Sequence, residues 1–562
     1  MNNKFKNYQH PYKINAKYKH RTAYFSMEFG IDQALKTFSG GLGFLAGSHM
    51  RSAYELKQNL VGIGILWKYG YYDQTRNQDG TMSATFIERN CNFFEDTGIR
   101  FDININKHAV KVKVLYLTPE TFETVPMFFL STDLPENDYL AQTISHHLYD
   151  ANTEARIAQY ILLGVGGAKL LDIINYNPDT YHLNEAHALP AAFYLYKKYR
   201  DLEVVKSKVI FTTHTPDPGG NEIHDIYTMD KMSFFSDLPL NQVRSLTGVY
   251  EDSFNYTLVG LRMARFANAV SKLHGEVASD MWKGYDNICE ISHVTNSQNE
   301  KYWADKGLKK ALKNGNDKAL NKRKLELKEN FFKVVADQTG KIFDANTLTI
   351  VWARRFAAYK RADLLTKDFE RFDRILRNTE MPVQIIWAGK PYPKDYNAID
   401  IFNKLVNFAK NYPNVTVMVG YELALSKLMK DGSDVWLNTP RITREASGTS
   451  GMTAAMNGSV NFSTADGWIP EFAKHRENSF VLPALDHNLS YPEQDAQDLK
   501  NFLDILENEI IPTYYNEPER WLEIVKNGMR DVVPYFDSNR MVAEYYTKIY
   551  THKVMQKEVA AL

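Results

Sequence analysis

Arg444-Glu-Ala-Ser-Gly-Thr-Ser-Gly-Met-Thr-Ala-Ala-Met-Asn-Gly458 follows the apolar run Asp434-Val-Trp-Leu-Asn438 and breaks into small residues before Met452-Thr-Ala-Ala-Met456 resumes helical composition. That order predicts a strand, a tight loop and a helix start. Gly448 and Gly451 allow close backbone approach, and Ser447, Thr449 and Ser450 add hydroxyl donors. The helix that follows points its unsatisfied N–H groups and positive dipole end at the loop. Phosphate or a sugar is the expected guest. Taken alone, the stretch is equally readable as a Ser/Gly-rich turn capping an ordinary helix, so the rest of the chain has to decide.

The chain has 562 residues, too many for one core, which predicts two large domains or three ordinary ones. Hydrophobic residues make up 44% and aromatic residues 13%, enough for packed cores and too many for general disorder. Basic and acidic residues balance at 67 each, so neither nucleic acid nor an acidic membrane surface is expected as a bulk partner. Cys91 and Cys289 lie far apart and in no metal-type spacing, which argues against a disulfide framework or a zinc site. The N-terminal residues carry charge but no apolar core, and no run approaches eighteen apolar residues, so a cytoplasmic protein is expected.

Outward from the loop, the same local grammar recurs. Thr22 to Phe29 reads as a strand, Phe38-Ser-Gly-Gly-Leu-Gly-Phe-Leu-Ala-Gly47 as a second glycine loop entering a helix that ends near Leu56, and Leu60 to Leu66 as a buried strand. This unit places a phosphate or sugar at a helix N-terminus, although its G-G-x-G spacing is not the dinucleotide fingerprint. Residues 81 to 130 alternate apolar and polar positions and read as β hairpins decorating the first domain. Thr180 to His187 and Val209 to Pro216 each read as a buried strand ending in polar residues, which makes Asn184, Glu185, His187 and His214 site candidates. Between Tyr302 and Asp344 the chain turns lysine-rich and helical, an inter-domain region with a solvated face. Strand-like runs opening at Leu348, Val383, Val415 and Asp434 then alternate with helical segments and predict a parallel sheet, and from Asp495 the chain is mainly helical.

The motifs Tyr24-Phe-Ser-Met-Glu-Phe, Ser39-Gly-Gly-Leu-Gly-Phe-Leu-Ala-Gly, His182-Leu-Asn-Glu-Ala-His, Phe211-Thr-Thr-His-Thr-Pro, Ser271-Lys-Leu-His-Gly-Glu, Ala353-Arg-Arg-Phe-Ala-Ala-Tyr-Lys-Arg361, Asp434-Val-Trp-Leu-Asn-Thr-Pro and Glu445-Ala-Ser-Gly-Thr-Ser-Gly-Met occur in this order. Together they make the sequence resemble an α-glucan phosphorylase of the short form, over nearly the whole chain. The resemblance implies an α/β protein of the GT-B type, with two Rossmann-like domains facing a deep cleft. The expected divisions are 1–303 with hairpin insertions, a helical region 304–345, a second domain 346–535, and a C-terminal helix 536–562 crossing back to the first.

The resemblance further implies transfer of a glucosyl unit between an α-1,4-glucan and phosphate, giving glucose 1-phosphate, with pyridoxal phosphate (PLP) beneath the substrate phosphate and a homodimer as the assembly considered. Two phosphates held together need fixed cations and N–H donors. By motif position, Arg355 and Lys360 match ligands of the substrate phosphate, Arg354 the cation beside the cofactor phosphate, and Gly41 a loop N–H near phosphate. His214 matches the residue that meets the transferred sugar, and Asn296, Glu445, Ser447 and Gly448 its hydroxyl-binding positions. Thr449 and Ser450 match the cradle of the cofactor phosphate.

Two departures stand out. The family pattern places after Gly-Met a lysine that holds PLP through a Schiff base; here Thr453 stands there and brings no amine. Ser297 follows Asn296 where the family usually has glycine, a strained choice if the loop requires positive φ. Three readings follow: a phosphorylase with non-covalent PLP, a PLP-independent GT-B glucosyltransferase using a nucleotide sugar, and a catalytically silent glucan-binding or regulatory relative.

Overall fold

The computed structural model describes residues 3–486 and 489–551. The first sheet uses, in chain order, Thr22–Phe25 (β1), Leu60–Ile65 (β2), Glu95–Ile105 (β3), His108–Leu117 (β4), Met127–Ser131 (β5), Thr180–Asn184 (β6), Val209–Thr212 (β7), Phe266–Ala269 (β8) and Glu290–His293 (β9). Across the sheet they run β9-β8-β7-β6-β1-β2-β5-β4-β3. Pairing is parallel from β9 through β5, and β5-β4-β3 close the edge antiparallel. The second sheet comprises Leu348–Ala353 (β10), Val383–Ala388 (β11), Val415–Met418 (β12), Val435–Asn438 (β13), Val460–Ser463 (β14) and Ser479–Val481 (β15). Its order is β12-β11-β10-β13-β14-β15, parallel throughout.

Every residue of β10, β11 and β13 is buried, which is why these strands read as mainly apolar or β-branched runs, Gln384 and Asn438 excepted. Each sheet has a switch point where the chain moves to the other side of its first strand: between β1 and β6 in the first, and between β10 and β13 in the second. At such a switch point the helices on the two sides diverge and leave a crevice beyond the carboxyl ends of the strands. In this chain those four strand ends lead to Glu28, Glu185, Arg354 and the loop after Asn438, so both crevices open on the glycine-rich segments.

Two sequence readings change. Met82–Thr85 does form a separate antiparallel hairpin with Asp73–Arg76, but the later strands are not decorations: β5 is a parallel member of the first sheet, and the β3–β4 hairpin extends its edge by eight cross-strand pairs from Glu95 to Ile105. Their outward polar residues gave an alternating pattern that sequence alone could not tell from an independent hairpin. The first strand also ends at Phe25 rather than Phe29, because the chain turns there, with Ser26 Oγ donating to Glu28 O at 2.9 Å.

The helix Ser538–Glu544 lies against the helix Gly41–Glu55, with Ser52 Oγ and Ser538 Oγ 2.6 Å apart. Met541, Val542 and Tyr545 share a core with Tyr24 and Leu45. The expectation for the tail beyond residue 551 lies outside the described residues. Among the described residues no helix is long and apolar enough to cross a membrane.

Candidate active site

The helix Gly41–Glu55 begins at the cavity because a carboxylate holds the loop before it. Glu28 Oε2 accepts from Ser39 N (2.6 Å) and Gly40 N (3.2 Å), and Oε1 from Ser39 Oγ (2.8 Å) and Tyr149 OH (2.7 Å). A Cβ on Gly41 would meet nothing within 4 Å, so the residue faces open cavity rather than packed protein. Opposite, the loop of residues 445–450 is pinned by Asp466 Oδ2, which accepts from Glu445 N at 2.8 Å, and by Trp468 N, which donates to Ser447 O at 3.1 Å. Gly448 has φ +82°, the left-handed region, and a Cβ there would come within 3.1 Å of Arg354 Nη2, so geometry demands glycine.

These loops enclose a cavity of about 620 Å³. Gly41, His214, Asn296, Arg354, Arg355, Lys360, Glu445, Ser447, Gly448, Thr449 and Ser450 all line it, and of the residues singled out by strand ends Glu185 and His187 do too. Thr453 does not. It is fully buried in the helix Ser450–Met456, with Oγ1 donating to Ser450 O at 3.0 Å. Asn184 stands behind His214, its Oδ1 2.7 Å from His214 Nε2. Ser297 is not among the residues with positive φ, so the feared strain is absent, and its hydroxyl accepts from Arg540 Nη2 at 2.5 Å.

The cavity is cation-rich on the second-sheet side. Glu445 Oε2 accepts from Arg354 Nη2 at 2.9 Å and from Lys360 Nζ at 2.5 Å. Burial alone would raise the Glu445 pKa, but Arg354 and Lys360 hold it down to about 2. Arg355 adds a third cation that is open to the cavity. Arg354 Nη1, Ser447 Oγ and Asn296 Oδ1 are buried with no hydrogen-bond partner among the described residues. Leaving such a group unpaired costs roughly 1–3 kcal/mol, more for a charged one, and all three of these atoms belong to cavity-lining residues, where a ligand could pair them.

The first-sheet side is organised by Glu185. It accepts from His214 N at 2.5 Å and Thr215 Oγ1 at 3.2 Å, and burial pushes its pKa up to about 7. Its backbone sits at φ 71°, ψ 171°, a conformation that costs a non-glycine residue about 1–3 kcal/mol and tends to persist where function fixes it. Burial lowers His214 to about 3, so its imidazole is neutral at working pH. Contacts between the two halves frame the mouth: Ser271 Oγ donates to Ala446 O (2.6 Å), Tyr72 OH to Pro391 O (2.7 Å), and Lys36 pairs with Glu422, which is also paired at 2.6 Å with Lys390 of its own half.

Sequence reasoning passed over Glu28, Lys390, Tyr421 and Asp466, although Glu28, Lys390 and Tyr421 line the cavity and Asp466 pins its loop. Lys390, Tyr421 and Asp466 follow β11, β12 and β14, so the strand-end rule that flagged Glu185 would have found them. The donors an anionic cofactor would need are present: Arg354 Nη1, with no partner among the described residues, and the hydroxyl-bearing Thr449 and Ser450 all belong to the cavity lining and would make its anion cradle. Thr453 offers that cofactor no amine.

Residues 290–488 match the carbohydrate phosphorylase family model and residues 40–288 the starch synthase catalytic domain. An uncharacterised protein of Methanocaldococcus jannaschii is 46% identical over 94% of this chain and 99% of its own length. The maltodextrin phosphorylase of Thermococcus litoralis is 33% identical over 95% of this chain and 71% of its own length. The glycogen phosphorylase of Aquifex aeolicus is 30% identical over 96% of this chain and 87% of its own length.

Proposed function

The chain belongs to the carbohydrate phosphorylase family, and from that membership we propose that it moves a glucosyl unit between the non-reducing end of an α-1,4-glucan and inorganic phosphate, with glucose 1-phosphate as the small product. The observation that carries the reading is the cation excess at the cavity: Arg354, Arg355 and Lys360 stand together around one carboxylate, Glu445.

In this reading Arg355 and Lys360 draw the substrate phosphate in and neutralise it beside the glucosyl C1, while the Gly41 helix start adds N–H donors from the other wall. Asn296, Glu445, Ser447 and Gly448 bind the sugar hydroxyls and fix the ring, and neutral His214 bounds the sugar on the first-sheet side. Fixed donors matter because charge separates as the C1–O bond opens, and preorganised partners need not reorient then. PLP, when bound, supplies a phosphate that passes a proton to and from the substrate phosphate. Arg354, Thr449 and Ser450 would hold that phosphate, and Thr453 contributes no covalent link.

The starch synthase match over residues 40–288 favours a second reading, in which a nucleoside diphosphate sugar spans the same cations. Incubation with maltodextrin and inorganic phosphate, with and without added PLP, separates the two. Glucose 1-phosphate release supports the first, and its absence under both conditions rejects it.

A further inference from the structure

Lys430, in the helix Leu423–Gly432, is 1% exposed and has no hydrogen-bond or ion-pair partner among the described residues. Its Nζ lies 3.9 Å from the ring centroid of Trp303, 5.7 Å from that of Phe44 and 6.0 Å from that of Trp436. The nearby acid, Asp431, is instead paired with Lys427. A buried ammonium without an anion is costly, and contact with ring faces offsets only part of the loss. Burial accordingly holds the Lys430 pKa well below the ordinary lysine value. An apolar residue would fill this place better, so the amine calls for a role.

Its surroundings lead to the cavity. Phe44 lines the cavity, and Trp436 Nε1 donates to Ser450 Oγ at 3.2 Å, Ser450 being part of the anion cradle. Thr453 lies one turn further along the helix that Ser450 starts, and that helix shares a packed cluster with Phe44, Trp303 and Leu423. Lys430 is seven residues after Leu423 and so on the same helix face. Lys430 does not itself line the cavity; Phe44, which does, and Trp436, which holds Ser450, stand between its amine and the cavity.

We infer that Lys430 is the attachment point for the aldehyde of PLP, entering from the adjacent helix in place of an amine at position 453. The inference rests on the proposal that the cavity takes PLP. The Nζ lone pair forms a bond to the aldehyde carbon; the carbonyl oxygen then leaves as water with both amine protons, and a C=N bond remains. Nothing is oxidised or reduced. A neutral, unpaired amine is the form that reacts.

The test is chemical mapping of the intact protein. The protein is incubated with PLP, reduced with borohydride, digested with trypsin and sequenced by mass spectrometry. The expected result is a phosphopyridoxyl group on the peptide 428–441 at Lys430, with cleavage after Lys430 blocked. Lys430→Met, which keeps an apolar shape, loses the adduct while its circular dichroism spectrum is unchanged. Adding Thr453→Lys to that variant restores an adduct, now at position 453. Modification of Lys360, Lys390 or another lysine with Lys430 untouched, or no adduct at all, overturns the inference. Glucose 1-phosphate release by wild-type protein lacking any adduct overturns it while leaving phosphorolysis standing. An adduct at Lys430 without release supports it and rejects phosphorolysis.

Discussion

Arg354 divides its guanidinium: Nη2 donates to Glu445 Oε2 at 2.9 Å, while Nη1 is buried with no partner among the described residues. One carboxylate thus half-satisfies a group that is built to take a second anion.

Glu445→Gln makes this measurable. The substitution leaves Arg354 and Lys360 buried without a counter-ion, a loss of about 3–5 kcal/mol for a broken buried pair. The melting temperature is expected to fall by several degrees, and inorganic phosphate is expected to raise it more in the variant than in the wild type. Thermal melts across a phosphate series check both. An equal phosphate response in the two proteins would contradict the placement of phosphate at these cations.

Arg355→Ala removes the cation open to the cavity without disturbing the Glu445 pairs. Phosphorolytic kcat/KM should drop by about 10²–10³-fold, as for loss of one preorganised donor, with glucan affinity unchanged. Steady-state kinetics against phosphate, with glucan binding measured separately, reads the difference.

Asp466 and Glu185 set a pH dependence of stability. Burial pushes both carboxyls up to about 7, from ordinary values of 3.8 and 4.5. Between those limits the folded protein binds more protons than the unfolded chain, so stability falls as pH rises. The contribution is complete below about pH 4 and lost through about pH 7, on the order of 3 kcal/mol per group. Asp466→Asn and Glu185→Gln are each expected to narrow the gap in melting temperature between pH 5 and pH 8. Glu445 does not contribute to that gap: its depressed value, about 2 against 4.5, gives stability that is present above the ordinary value and lost only as pH falls through about 2.

Thr453→Lys forces a long side chain into a fully buried position. Overpacking is expected to cost about 1–3 kcal/mol without PLP, and added PLP is expected to recover part of it. Melts with and without the cofactor follow this directly.

Much of this architecture is written locally. The mainly apolar runs of β10, β11 and β13 mark buried parallel strands, and the glycine loops at 38–47 and 444–458 mark where helices begin at the cavity. The grouping of Arg354, Arg355 and Lys360 at the cavity was also legible, because they cluster within seven residues after one strand. Glu28 was not: its carboxylate acts on Ser39 and Gly40 only after the chain folds back past β1. Lys430 was hidden for a similar reason. In Ser426-Lys-Leu-Met-Lys-Asp431 it looks like an ordinary surface lysine, and only Trp436 on the following strand, with Phe44 and Trp303 brought in from two distant segments, removes it from water.

The most direct test of the account is donor choice in chain extension. A short maltooligosaccharide is offered glucose 1-phosphate or a nucleoside diphosphate glucose, each with PLP present, and elongated products are counted. Elongation from glucose 1-phosphate with release of one phosphate per added glucose is the predicted result; elongation from the nucleoside diphosphate glucose alone would contradict it.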